Sequence, residues 1–365
     1  MTPATPPQPP RSEGQGNRPV GTEDTPVTFT PPDAAPSEAS ELVAIDAPVA
    51  TGAGITAPMP GAGGLSTITV GGRLRDLWRL LTQNPKVMVG LSIVVFFILV
   101  AIFGPMLLHT DPNALSSDAL SSPSGAHWLG TTQTGQDVFA QLVYGSRTTI
   151  FWGFVTGLVV TLVSITVGLS GGYFGGAVDE ALSLLTNVFL VLPALPLAIV
   201  LAAFIPYKGP ATVAIVIIIT SWAWGARVLR AQTLSMRRRD FVEAAKTSGE
   251  TNFRIIFYEL LPNEIAIATA NFIGTTIYVI LAEVTLEFIG LGNPTVVSWG
   301  SMFYWAQNND ALLLGAWWWF IPPGLCVALL GASLAFINFG MDEIANPRLR
   351  REPKPKALKT KKAVA

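Results

Sequence analysis

"VMVGLSIVVFFILVAIFGPMLL", Val87–Leu108, is a run of 22 residues without one charged side chain. A hydrocarbon core of roughly 30 Å is crossed by about 20 helical residues, so the run is long enough to span a bilayer. It lacks the strict apolar/polar alternation of a barrel strand, and lipid gives the backbone no hydrogen-bond partners. It therefore predicts a transmembrane α-helix. Five similar stretches follow at Thr148–Ser170, Ala181–Phe204, Ala211–Val228, Glu264–Phe288 and Trp317–Phe339. The expected fold class is an all-α membrane protein with six transmembrane helices. Composition agrees: 50% of residues are hydrophobic, 13% are charged and the mean hydropathy is +0.47, which excludes an ordinary water-soluble domain.

The first apolar run starts too far along the chain for a cleavable signal peptide and is expected to stay as an anchor. The one cysteine, Cys326, lies in the last run, so no disulfide framework or thiolate metal cage is available. A net charge of −1 conceals strong segregation. Of 23 Lys and Arg residues, all but Arg147 and Lys208 fall before the first span, between the fourth and fifth, or after the sixth. The positive-inside rule then places both termini in the cytoplasm.

These patterns divide the chain into a tail at 1–70, a lead-in with the first span at 71–110, an extracytoplasmic loop at 111–146, a five-helix core at 147–340 and a basic tail at 341–365. Residues 1–70 hold 13 of the 28 prolines and seven acidic residues against two arginines, the composition of a disordered cytoplasmic tail. The basic end suits solvent or lipid headgroups. Residues 290–316 form a second outer loop without Lys or Arg. Trp317, Trp318 and Trp319 then suggest an interfacial belt. Gly153 with Gly157, and Gly168 with Gly172, put small residues on common faces of the second span and predict close helix approach. Pro193 and Pro196 predict a kink in the third.

The cytoplasmic segment 237–263 is too elaborate for a simple crossover. Asp240 with Glu243 reads as a capping box for a helix starting at Phe241, and Gly249 as its left-handed stop. Thr251 or Asn252 would cap a second helix, with Phe253, Ile256, Phe257, Leu260 and Leu261 as its apolar stripe and Pro262 resetting the chain before the fifth span. A helix pair protruding to be gripped and a helix lying on the headgroups both fit this pattern.

Glu243-Ala244-Ala245, Gly249, Ile255 and Leu261-Pro262 together resemble the EAA motif of permease subunits of bacterial ABC importers. Glu259 stands where members commonly have His, and Thr247-Ser248 where Ala-Leu is common. His127-Trp128-Leu129-Gly130-Thr131 with Gly135-Gln136-Asp137-Val138, Tyr144-Gly145-Ser146-Arg147, Phe288-Ile289-Gly290-Leu291-Gly292 with Ser298-Trp299-Gly300, and Asn346-Pro347-Arg348-Leu349 are similar to segments of the dipeptide/oligopeptide (DppC/OppC-like) branch. The resemblance covers roughly 84–350. It implies a type I ABC importer (MetI-like) permease fold and a bacterial inner-membrane, multi-pass location. It further implies a second homologous permease, two cytoplasmic ABC ATPase subunits and an extracytoplasmic solute-binding protein as partners. The coupling-loop residues would then be Glu243, Ala244, Ala245, Gly249, Ile255, Leu261 and Pro262.

The sequence has no G-x-x-x-x-G-K-[ST] phosphate loop, so ATP and Mg would be held by the partner ATPases, with no cofactor or metal on this chain. No catalytic residue is expected: His109 and His127 are the two histidines, and both fall on the outer side. Glu283 and Glu287, one turn apart near the outer end of the fifth span, are costly in lipid. They would either line the translocation path and meet a substrate ammonium group or make a satisfied polar contact between subunits. A proton-coupled carrier using these two carboxylates is the rival from another class. Within the importer class, peptides, nickel chelates, glutathione and other small solutes are all possible cargo.

Overall fold

The computed structural model describes residues 84–345, with side chains to 340. The expected N-terminal tail at 1–70, most of the basic C-terminal tail and the Asn346–Leu349 segment lie outside the described residues. Those residues form nine helices and an isolated bridge between Thr131 and Asp137. The first helix, α1 (Pro85–Leu107), starts where Asn84 accepts from the Lys86 amide at 3.1 Å and Pro85 occupies a position that needs no amide hydrogen. Then come α2 (Val138–Phe174), α3 (Gly176–Val191), α4 (Ala194–Phe204) and α5 (Pro210–Met236). The short α6 (Asp240–Thr247) precedes α7 (Asn252–Phe288), which passes through a π-helical turn at Ile255–Leu260. The short α8 (Trp299–Asn308) and long α9 (Trp317–Ala345) complete the set.

Five of these helices are long and apolar enough to cross a membrane, and the pair α3 and α4 raises the number to six if it counts as one span. Their exteriors keep side chains such as Phe96, Leu158, Phe204 and Phe339 exposed, which in this composition is a lipid-facing surface. Four boundaries differ from the sequence reading. The helix α2 begins ten residues before Thr148, because the Asp137 carboxylate accepts from the Ala140 amide at 2.8 Å and caps a first turn lying outside the apolar run. At the far end of α5 the helix continues past Val228 to Met236, since a polar stretch can stay helical once it leaves lipid. Instead of one kinked span at Ala181–Phe204, α3 and α4 are separate helices at 88° to each other. Leu192, forced out of the helical region by the proline that follows, is extended at φ −76°, ψ 129°. The loop expected at 290–316 contains α8, capped by reciprocal bonds between Ser298 and Ser301.

At the centre of the bundle, α2 packs along α5 and α7. Its glycines make this possible as expected, on two different faces. A Cβ on Gly153 or Gly157 would come within 2.5 Å of Ile280 and of the Thr276 hydroxyl on α7. One on Gly168 or Gly172 would come within 2.7 Å of the Ala226 carbonyl and 2.6 Å of Thr233 on α5. Separation along α2 therefore assigns each glycine pair its own neighbour.

Candidate functional site

The elaborate segment between α5 and α7 is a compact projection at the arginine-rich end of the bundle. Asp240 does not cap its first helix. Arg239 takes the N-cap position without a side-chain bond, because the chain leaves α5 through a tight turn in which the Arg239 amide donates to Met236 at 3.0 Å. Asp240 and Glu243 instead lie in the first turn, where the helix dipole favours negative charge. The expected stop holds. Gly249 has φ +79°, its amide donates to Lys246 at 3.1 Å, and the Glu250 amide donates to Ala245 at 3.1 Å. Those two bonds are a complete Schellman motif. Thr251 then caps α7, accepting from the Arg254 amide at 3.4 Å.

The apolar stripe on the second helix is shifted from the expected one. Ile255 and Leu260 are fully buried and Ile256 nearly so, whereas Phe253 is 66% and Phe257 38% exposed. The π-helical turn explains the slip. Pro262 lacks an amide hydrogen and its ring would clash with an ordinary α-helical carbonyl four residues back. The wider turn lets the Leu261 amide donate to Ile256, five residues back, and the Asn263 side chain donates to the Glu259 carbonyl at 2.6 Å. So Pro262 does not reset the chain. The helix continues through it, and periodicity counted from Phe253 falls out of step.

This packing sorts the candidate coupling residues into three groups. Ala245, Ile255 and Leu261 join Val242, Leu260 and Ala268 in a cluster that also takes in Leu169 and Tyr173 of α2 and Leu229 and Met236 of α5. Gly249 shapes the turn. Glu243, Ala244 and Pro262 are exposed, as are Phe253 and Phe257, whose rings meet at 4.5 Å. Polar contacts fasten the projection: Tyr173 donates to Asn252 at 2.9 Å, Arg254 pairs with Glu250 at 2.5 Å, and the Lys246 ammonium lies 5.2 Å over the Tyr173 ring. Beneath it, buried Glu264 accepts from Thr233 at 2.9 Å, and Arg230 grips both Asp179 oxygens at 2.5 and 2.8 Å.

A cleft of about 590 Å3 opens at the break between α3 and α4. Pro193, Thr220, Ser221, Trp224, Asn271, Thr275, Tyr278 and Asn338 line it. The Asn271 amide nitrogen and the Asn338 carbonyl oxygen are buried there without partners among the described residues. The sequence reading noted the proline break but missed both amides, although an asparagine inside an apolar run was the signal.

Glu283 and Glu287 lie beyond the cleft and do not line it. Both are buried, at 2% and 5% exposure. Glu287 accepts from the Ser298 hydroxyl at 2.5 Å, while both Glu283 oxygens lack a partner among the described residues. Around them the segment Ser298-Trp299-Gly300 acquires a physical account. Ser298 caps α8 and holds Glu287. Trp299, fully buried, donates from its indole to Leu142 at 3.0 Å and from its backbone to Thr149 at 3.1 Å. Gly300 lies against the Glu287 carboxylate, where a Cβ would collide with it.

The loop before α2 is folded as well. His127 pairs with Asp137 at 2.8 Å, the Thr131 hydroxyl donates to the Asp118 carbonyl, and the Trp318 indole donates to Thr131 at 3.2 Å. The tryptophan triplet therefore divides. Trp317 is half exposed and suits an interface, Trp318 clamps this loop, and Trp319 is buried.

Comparison with known proteins matches residues 164–351 to the family of binding-protein-dependent transport system inner membrane components. Residues 72–123 match the N-terminal TM domain of oligopeptide transport permease C. The dipeptide transport system permease protein DppC of Bacillus subtilis is 33% identical over 285 residues, covering 76% of this chain and 86% of that protein. The oligopeptide transport system permease protein OppC of the same organism is 32% identical over 282 residues, covering 76% and 90%. The probable D,D-dipeptide transport system permease protein DdpC of Escherichia coli is 31% identical over 276 residues, covering 74% and 90%. Among solved structures, a chain of the MetNI methionine ABC transporter in an inward-facing conformation is 18% identical with a TM-score of 0.45, covering 57% of this chain and 97% of that one. The helical bundle, the family match and the permease relatives lead to one assignment: the chain belongs to the binding-protein-dependent transport family of ABC importer permeases and is a multi-pass inner-membrane transport component, not an enzyme.

Proposed function

We propose that this subunit carries di- or oligopeptides inward as part of an ATP-driven importer, with its arginine-rich end and both termini in the cytoplasm. ATP and Mg belong to two ATPase subunits that receive the projection Asp240–Leu261. A second homologous permease completes the path, and an extracytoplasmic binding protein delivers the cargo. The peptide assignment is supported by the relatives, which are dipeptide and oligopeptide permeases.

The observation that carries the coupling role is the division within the projection. One face is packed onto α2 and α5, while Glu243, Ala244, Phe253 and Phe257 stay exposed. A partner pushing on the exposed face moves the bundle rigidly, because the buried face leaves no slack. The cleft at the α3/α4 break forms this subunit's wall of the path, with Asn271 and Asn338 offering a donor and an acceptor to peptide groups. Glu283 and Glu287 remain candidate gate residues, buried until that end of the bundle opens.

The test is reconstitution with the second permease, both ATPases and the binding protein in proteoliposomes. Replacing Phe253 and Phe257 together by alanine removes an aromatic anchor without opening a core. It is expected to cut peptide uptake about tenfold, the effect of losing one interface hot spot, while the permease pair still assembles. Uptake at the wild-type level in that variant would sink the docking role. Uptake driven by a proton gradient without ATPases would favour a secondary carrier.

A further inference from the structure

Between α1 and α2, at the end remote from the arginine-rich loop, lies a groove of about 400 Å3. Ile98, Ile102 and Met106 form one wall, spaced four residues apart on one face of α1, and Ile150 and Phe151 form the other. The wall on α1 runs about 12 Å along the helix axis. Its apolar lining is interrupted by one charge, Arg147. The Arg147 side chain is exposed and makes no hydrogen bond or ion pair with any described residue. Lys208, the other cation assigned to this side of the bundle, already donates to the Ala202 carbonyl at 2.7 Å. Arg147 thus lacks a counter-charge among the described residues.

Its depth is set by its neighbours. The Tyr144 hydroxyl donates to the carbonyls of Pro105 and Leu108 at 3.2 and 3.1 Å, so Tyr144 marks the level at which α1 ends. The 23 residues of α1 make a helix about 35 Å long, close to the thickness of the hydrocarbon core, so a bilayer that α1 crosses has its headgroup boundary near the end of the helix. Arg147 is three residues deeper, roughly one turn, a distance its long side chain covers by snorkelling back toward the headgroups. A guanidinium at phosphate depth above a long apolar trough is complementary to a lipid with an anionic head and an extended acyl chain.

We propose that this groove is a specific site for one anionic phospholipid, with its phosphate on Arg147 and an acyl chain along Ile102, Ile98 and Phe151. The site goes beyond transport. It rests on the chain spanning a membrane and not on what it carries, so its failure would leave the importer reading intact.

The test uses the full chain within its assembled complex, stripped by detergent washing and titrated with phosphatidylglycerol or phosphatidylcholine, with bound lipid counted by native mass spectrometry. One phosphatidylglycerol is expected to persist in preference to phosphatidylcholine. Arg147→Gln should weaken its retention about tenfold, the loss of a charge-assisted bond, and Arg147→Lys should restore part of it. Ile102→Trp, which fills the groove from its lipid-facing side, should displace the lipid with Arg147 intact and gives a second reading if Arg147→Gln folds poorly. Equal retention of the two lipids would mean unselective annular lipid and would overturn the proposal. So would undiminished retention in both Arg147→Gln and Ile102→Trp, or an Ile102→Cys cross-link that forms with the second permease and not with a photoreactive phosphatidylglycerol.

Discussion

Gly249 offers the cleanest perturbation of the projection. Its φ of +79° lies in the left-handed region, and a Cβ built there would meet no atom within 4 Å. Gly249→Ala therefore adds no collision, and its whole effect is conformational, about 1–2 kcal/mol. That range corresponds to a rise of roughly 5–30-fold in the population whose turn has opened. Gly249→Asn should cost less, because asparagine tolerates this region, and Gly249→Val more, because a β-branched residue at positive φ is a severe outlier. The direct assay is hydrogen–deuterium exchange at the Gly249 and Glu250 amides, whose bonds to Lys246 and Ala245 close the turn at 3.1 Å each. Exchange should quicken in the order Gly, Asn, Ala, Val. ATP hydrolysed per solute imported should rise in the same order if the projection transmits force. Wild-type exchange in Gly249→Val would refute the reasoning, since the turn would then be held by something other than its left-handed glycine.

Two further outcomes follow from contacts elsewhere. Gly300→Ala should destabilise the α7/α8 junction by about 1–3 kcal/mol through overpacking against Glu287, and thermal unfolding should show it lowered relative to a control such as Gly331→Ala, where a Cβ meets nothing within 4 Å. A double-mutant cycle of Asp179→Asn with Arg230→Gln should return a coupling of about 1–3 kcal/mol from their two-point contact, whereas additive single effects would mean the pair contributes little.

The six apolar runs were legible because lipid penalises unpaired backbone and charged side chains so strongly that composition alone marks a span. The ends of the helices were harder to see. Val138 starts α2 because one aspartate side chain reaches an amide, an event that leaves no trace in hydropathy. At α8 the run Trp299–Asn308 mixes aromatic and polar residues without a long apolar face, so its helicity depends on the Ser298 cap and the Trp299 anchor. The projection was read correctly at Gly249, where a local rule applies, and incorrectly at Phe253, where a π turn beginning two residues on changed the count. The cleft was illegible because Pro193, Thr220, Asn271 and Asn338 come from four separate helices or breaks and meet only in three dimensions.

The unbroken passage of α7 through Pro262 has a mechanical meaning. A chain that stopped there and restarted would act as a joint, absorbing any motion of the projection before it reached the membrane. Instead α7 runs as one 37-residue rod from Asn252 to Phe288, about 55 Å at 1.5 Å per residue. A tilt of about 5° imposed at one tip of such a rod displaces the other by about 5 Å, comparable to one helical turn. The six-residue π segment thus serves as a splice that lets a proline sit within a lever without making it a hinge.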